Sequence, residues 1–213
     1  MTAARAYGGV SAADRRAARR ERLVEAALDI VGESGASGIT VTGLCRRAGL
    51  NERYFYKSFA DRNEVLVAAG DLLAGTLVEG ILERLASAES DSRSRATAAI
   101  SASVDVLADD PRLGALFLDG LSTPALAQRR LDLAGVFVEL MVSQALVTLG
   151  LRRTPEIESW GTFAARHLFG GVLETVACWL RGELTLTRDE LVERNVEMFL
   201  AVERALPALF PEE

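Results

Sequence analysis

The chain has 213 residues, 49% hydrophobic and 25% charged, and this balance excludes an intrinsically disordered protein. Its formal net charge of -6 would by itself argue against binding to nucleic acid. Residues 1–62, however, hold 11 basic and 7 acidic side chains, whereas residues 63–213 hold 13 and 23, so the N-terminal part is basic and the remainder acidic.

Apolar residues recur at three- and four-residue spacing along the whole chain, and this pattern predicts an all-α fold. Ser11 is placed to cap a first helix over residues 12–34, which Gly35 ends. Two short helices follow within residues 39–59. The motif Asp61-Arg62-Asn63-Glu64 has the spacing of a capping box and predicts a fourth helix that runs to about residue 86.

A cluster of Ser, Asp and Arg over residues 87–94 separates these helices from five more. Three of the five begin with proline, which suits a first helical position. They are predicted at about 94–108, 111–121, 124–149, 155–182 and 188–206. The last begins with a second capping box, Thr187 to Glu190, and has an apolar stripe of Val192, Val196, Phe199 and Leu206.

The two short helices, over 41–48 and 52–57, have the pattern of a helix-turn-helix. Gly49 suits the turn between them, and Asn51 suits the cap of the second helix. The side chains predicted to pack inward are Val41, Leu44, Ala48, Leu50, Phe55 and Phe59. Those predicted to form a polar outer face, which can enter a major groove, are Thr40, Thr42, Glu52, Arg53, Tyr54, Tyr56 and Lys57.

Residues 15–66 closely resemble the TetR family of bacterial transcriptional regulators. The match rests on an arginine-rich first helix, then Thr-Val-x-x-Leu-x-x-x-Ala-Gly-Leu-Asn, then Tyr-Phe-Tyr-x-x-Phe before a capped fourth helix. Beyond residue 86 the resemblance is architectural. It implies an N-terminal arm over 1–10, a DNA-binding domain over 11–62 with its motif at 40–59, and a ligand-binding and dimerisation domain over 63–213. It also implies a homodimer on palindromic operator DNA that a small molecule releases.

The resemblance assigns roles to the second short helix by position. Arg53 is the first choice for base readout, because a guanidinium can donate two hydrogen bonds to guanine; a phosphate contact is the alternative. Tyr54 and Tyr56 are expected to contact phosphates or thymine methyl groups, with half-buried packing as the alternative. Lys57 is expected to hold a phosphate.

The first short helix and the turn supply further expected contacts. Thr40 and Thr42 can bind a phosphate at the helix N-terminus, although Thr40 can equally serve only as a cap. Gly43 departs from the family pattern and can permit close approach of the backbone to DNA. Asn51 caps the second helix, and Glu52 can accept from cytosine or simply favour the helix dipole.

For the C-terminal domain the resemblance implies a ligand cavity and a dimer interface, each with packing inside one chain as the alternative. Few charges interrupt the middle of the seventh helix, which favours an apolar or amphipathic effector. The candidate cavity residues are Phe117, Phe137, Met141, Gln144, Trp160, Phe163, His167 and Trp179. The candidate interface residues, on the last two helices, are Gly170, Gly171, Ala177, Cys178, Val196, Phe199 and Leu200.

The sequence holds no pattern that indicates an enzyme or a bound cofactor. One histidine and two widely separated cysteines offer neither a nucleophile with its base nor a metal cluster. The longest uncharged run, 140–151, is shorter than the ~20 residues that span a bilayer. We therefore expect a cytoplasmic regulator without metal, cofactor or membrane span; a regulator controlled by a protein partner is the alternative, and a helical enzyme a more distant one.

Overall fold

The structure is a computed structural model that describes residues 11–205, and over that range it consists of helices with no strand. The predicted all-α fold is confirmed, as is each of the nine predicted helices. The predicted arm over 1–10 and Leu206 lie outside the described residues. The helices are α1 Ala12–Ser34, α2 Val41–Ala48, α3 Glu52–Phe55, α4 Arg62–Ser87, α5 Ser92–Asp109, α6 Pro111–Gly120, α7 Pro124–Leu149, α8 Pro155–Leu180 and α9 Arg188–Ala205.

Local capping explains most helix starts, because the first backbone N–H groups of a helix need acceptors. The predicted box before α9 is confirmed: Thr187 Oγ1 accepts from the Glu190 N–H at 3.2 Å, and Glu190 Oε2 accepts from the Thr187 N–H at 2.8 Å. The box before α4 differs. Asp61 Oδ1 accepts from the Glu64 N–H at 3.0 Å, but Glu64 Oε2 accepts from Ala60, one residue earlier than a capping box requires.

Three helix boundaries differ from the prediction by two residues, and one of them is the end of α8, which lies at Leu180 and not at about 182. Helix α3 ends at Phe55 and not at residue 57, because the chain continues as a turn toward the buried Phe59. Helix α5 begins at Ser92, two residues early, because Asp91 accepts from the Ser94 N–H at 3.0 Å and caps it.

The first three helices pack around a small core of fully buried side chains, which includes Leu23, Leu44, Phe55 and Phe59. The same core continues without a break through α4, α5 and α6 to Val196 on α9. The helix-turn-helix therefore rests directly on the C-terminal bundle.

Helix α4 joins the two parts. Its N-terminal half buries Val65, Leu66 and Ala69 against α1, and its remainder packs on α5 and α7. By length and composition alone α4 is apolar enough to cross a membrane, which the sequence analysis did not anticipate. Its packing against four helices, α1, α5, α6 and α7, accounts for this apolar composition.

Helices α7 and α8 form an outer antiparallel pair joined by a short connection. They share a separate small core of Val138, Val142 and Ala165. Between this pair and α4, α5, α6 and α9 the packing leaves open space.

Candidate functional site

The turn between α2 and α3 has the geometry that its sequence predicts. Thr40 Oγ1 accepts from the Gly43 N–H at 3.0 Å and caps α2. Gly49 ends α2 in the left-handed conformation, with φ 61° and ψ 39°, which glycine adopts without strain. Asn51 Oδ1 then accepts from the Tyr54 N–H at 3.1 Å and starts α3. These local bonds fix the angle between the two helices.

Every side chain predicted for the polar outer face of this motif is exposed. Arg53 makes no ion pair within residues 11–205, so its guanidinium is available to a partner. Glu52 is engaged: its carboxylate accepts from the Thr42 hydroxyl at 2.9 Å, a bond between α2 and α3 that was not among the expectations for either residue.

Gly43 has a local explanation besides close approach to DNA. A Cβ at this position would lie 2.8 Å from Thr40 Oγ1, the atom that caps α2. A side chain there would therefore disturb the cap.

Helix α1 adds positive charge beside Tyr54, as its many arginines indicate. The guanidinium of Arg19 lies 5.1 Å from the centre of the Tyr54 ring, and Lys57 Nζ lies 5.7 Å from it. Arg20 donates to the Ser58 carbonyl at 3.1 Å. The concentration of arginine in the first helix is the sequence signal that points to this role.

A network of ion pairs ties the helix-turn-helix to α6. Arg112 Nη1 lies 2.8 Å from the Asp29 carboxylate and 3.2 Å from that of Glu25, both on α1. Asp29 is also 3.7 Å from Arg47 on α2. Hydrogen bonding from Arg112 holds the pKa of Asp110 below its ordinary value, and the carboxylates around Arg112 raise the pKa of its guanidinium.

A second contact joins the C-terminal end of α1 to α6. Asp119 Oδ2 accepts from the Ala36 N–H at 2.5 Å. The adjacent Gly35 has φ 74° and ψ 172°, a conformation that is essentially restricted to glycine. We call these two sets of bonds, through Arg112 and through Asp119, the α1–α6 contact.

The open space between α4 and α9 forms a cavity of about 430 Å³, within the range typical of small-molecule sites. Its walls are almost entirely apolar side chains of α4 to α9. Four of the predicted cavity residues line it: Phe117, Phe137, Met141 and His167. Phe137 stacks on Phe169 with ring centres 5.7 Å apart.

A second cavity of about 170 Å³ adjoins the first and shares wall residues with it, among them Leu85, Met141 and Phe199. It extends toward the connection between α7 and α8, where Leu146 and Leu149 line it. Gln144, predicted for the ligand site, lies in this second cavity.

Three predicted cavity residues lie outside both cavities, which corrects the expectation that they line one. Trp160 and Phe163 are 43% and 65% exposed, and Phe163 stacks on His167, an exposed ring that also lines the larger cavity. Trp179 packs against the main core, and its indole N–H donates to the Leu186 carbonyl at 2.8 Å.

The predicted interface residues fall into buried, half-buried and exposed positions. Ala177, Val196 and Leu200 are buried within their own chain, so they cannot meet a second one; this part of the prediction is wrong because α8 and α9 use these residues to pack on the bundle. Phe199 is half-buried and lines both cavities. The remaining interface candidates are the exposed Gly170 and Gly171 and the half-buried Cys178.

The fold is shared with known transcriptional regulators, although no protein-family model matches the sequence and neither does any curated protein. A protein of Pseudomonas aeruginosa PAO1, presented as a candidate transcriptional regulator, superposes with a TM-score of 0.74 at 19% identity, over 90% of this chain and 94% of that one. A TetR-like transcriptional regulator from Rhodococcus sp. RHA1 gives 0.66 at 13% identity, over 90% and 97%. The regulator FadR of Bacillus subtilis, in complex with stearoyl-CoA, gives 0.66 at 18% identity, over 87% and 96%. The resemblance to the TetR family is therefore confirmed at the level of the fold.

Proposed function

We propose that this chain, which has the fold of TetR-family regulators, is itself a transcriptional regulator that binds operator DNA as a homodimer and responds to a small apolar or amphipathic molecule. The observation that carries the proposal is the exposed face of α2 and α3, where Arg53, Tyr54, Tyr56 and Lys57 stand together on a rigidly capped turn. A face of this size and polarity suits a major groove. Repression, with release by the effector, and a cytoplasmic location are part of the proposal.

The surface of α8 supports the homodimer. Trp160, Phe163, His167 and Gly170 follow one another at spacings of three and four residues, so they share one side of the helix, and all four are exposed. Two of the four, Trp160 and Phe163, are large apolar side chains with their rings in contact, and adjoining apolar side chains left exposed are typical of an interface. A two-fold axis at this surface would present two helix-turn-helix motifs to half-sites separated by about one turn of DNA, ~34 Å, or a multiple of it.

The two adjoining cavities support control by a small molecule over control by a protein partner, because a filled core would leave no room for an effector. The FadR regulator, which shares the fold, is in complex with stearoyl-CoA, a molecule with a long apolar chain. Leu116, Phe117 and Gly120 of α6 line the larger cavity, and Arg112 and Asp119 of the same helix hold α1. An occupant can therefore shift α6 and, through the α1–α6 contact, the helix-turn-helix.

The test begins with selection of genomic fragments by the purified protein, followed by mobility-shift titration of the selected operator at several salt concentrations. Arg53→Ala should weaken operator binding by ~1–3 kcal/mol and relax discrimination at one base pair. Lys57→Ala should weaken binding to every sequence alike and lower the salt slope by about 1.

Arg152→Ala is the matched control, since Arg152 is an exposed arginine in the connection between α7 and α8. It should leave affinity and salt slope unchanged. The proposal fails if no fragment is enriched, and the assignment of Arg53 fails if Arg53→Ala retains full discrimination.

A further inference from the structure

The polar groups of the larger cavity are confined to a few positions, and their charge is of one sign. Arg129 and Arg130 of α7 line it, whereas none of its described wall residues is Asp or Glu. Arg129 is paired with Asp71 at 2.5 Å. Arg130 is exposed, lines the cavity and forms no ion pair within residues 11–205, so its positive charge is available to an occupant of the cavity.

Asn195 brings an incompletely satisfied amide to the same cavity. Its side chain is 8% exposed, accepts from the Thr175 hydroxyl at 3.0 Å and donates one N–H to the Leu191 carbonyl at 2.9 Å. An amide nitrogen carries two N–H groups, and within residues 11–205 only the Leu191 carbonyl accepts from this one. A buried donor beside an apolar space calls for an acceptor on an occupant.

The register of α7 and α8 places Arg130 and Asn195 at the same end of the larger cavity. The stacked rings of Phe137 and Phe169 set the two antiparallel helices level with each other. Arg130 precedes Phe137 by seven residues, and Thr175 follows Phe169 by six. At 1.5 Å per residue both therefore lie roughly 10 Å from the ring pair in the same direction, toward α6.

The opposite end of the cavity is apolar and continues into the second cavity. Leu85, Leu140 and Met141 line both, and Leu146 and Leu149 extend the wall. Along α7 the distance from Arg130 to Leu146 is about 24 Å. The second cavity also has Arg95 in its wall, but Glu203 lies there too and balances that charge.

We propose that the two cavities together bind one linear amphipathic molecule with a single anionic head group. The head lies between Arg130 and Asn195, next to α6, and the apolar tail passes Met141 into the second cavity. The inference rests on the proposed function only in treating these cavities as the effector site. It adds the class of effector, its orientation and two residues that select it.

Binding to the purified protein without DNA, measured by calorimetry, tests the inference independently of operator recognition. The probes are octanoate, dodecanoate, dodecan-1-ol and dodecyltrimethylammonium, each below its micelle concentration. Dodecanoate should bind at least about tenfold more tightly than the alcohol or the cation, because only the carboxylate pairs a negative charge with Arg130 while it accepts from Asn195. Dodecanoate should also bind more tightly than octanoate, by up to about fourfold in affinity for each added methylene that contacts the apolar wall.

Variants test where the head group and the tail of the bound molecule lie. Arg130→Gln and Asn195→Leu should each weaken dodecanoate binding about tenfold without weakening binding of the alcohol. Arg95→Gln is the matched control and should change the affinity for neither dodecanoate nor dodecan-1-ol. Ala99→Phe, which narrows the junction where the two cavities share a wall, should remove the advantage of dodecanoate while octanoate still binds, and retained octanoate binding shows that the variant is folded.

The inference is overturned if no probe binds, if the cation binds as well as the carboxylate, or if Arg95→Gln loses affinity and Arg130→Gln does not. Each of these outcomes leaves operator binding to be judged by its own titration. Loss of operator binding with normal dodecanoate binding would refute the proposed function and retain the effector site.

Discussion

Gly35→Ala tests whether the α1–α6 contact depends on the backbone of Gly35. At φ 74° and ψ 172°, an alanine would be strained by ~1–3 kcal/mol. Its Cβ would also lie 3.3 Å from Asp119 Oδ2, the atom that accepts from the Ala36 N–H. A hydrogen bond to a charged group contributes ~1.5–3 kcal/mol, and part of this would be lost.

We therefore expect Gly35→Ala to lower the free energy of unfolding by about 2–4 kcal/mol. The measurement is urea unfolding followed by circular dichroism, with all variants at one protein concentration because dimerisation would shift the midpoint. Gly150→Ala is the matched control. Gly150 also has a positive φ, 64°, but no atom lies within 4 Å of its added Cβ, so the cost should be only ~1–2 kcal/mol.

A double variant separates the backbone strain at residue 35 from the contact of its added Cβ with Asp119. If part of the cost arises at Asp119, then Gly35→Ala should cost less in an Asp119→Ala background than in the wild type. The reasoning is refuted if Gly35→Ala costs no more than Gly150→Ala.

Two other predictions concern pH and assembly. Arg112 holds the pKa of Asp110 below its ordinary value, so the ionised carboxylate stabilises the fold above about pH 4, and this stabilisation is lost as the pH falls through the lowered pKa. Asp110→Asn should thus be less stable than the wild type in urea at pH 7, and the difference should shrink as the pH falls below about 4; a difference that does not change with pH would contradict the ion pair. Phe163→Glu places a charge on the exposed side of α8 and should raise the dimer dissociation constant at least about 30-fold, so that light scattering gives a mass near 22.9 kDa at concentrations where the wild type is twice as heavy. A wild-type protein that is already monomeric, or a variant that stays dimeric, would exclude this surface.

The helix-turn-helix could be predicted from sequence because its signals are local. Thr40 and Asn51 cap helices within three residues of themselves, and Gly49 supplies the one left-handed position of the turn. Bonds of this range form in nearly the same way whatever the rest of the chain does. The burial of Phe55 and Phe59 follows, since the same spacing that exposes Arg53 turns these rings inward.

The C-terminal domain was predicted less well because α7 and α8 are apolar on more than one side. Helical periodicity then indicates that a helix is buried but not which neighbour covers each side. Trp160 and Phe163 were expected in a cavity and lie on the surface, whereas Ala177 and Val196 were expected at an interface and lie in the core. Amino-acid composition cannot distinguish an apolar side chain on the surface from one in the core or in a cavity wall.

The sequence by itself determined the helices, their caps, the helix-turn-helix motif and the uneven charge, because each depends on neighbours a few positions apart. Only the tertiary structure decided which residues enclose the cavities and how α6 contacts α1. Arg112 and Asp29 are 83 positions apart, and Arg130 and Asn195 are brought to the same cavity from separate helices. Such pairs arise from helix packing, whose register depends on all the side chains at the contact together.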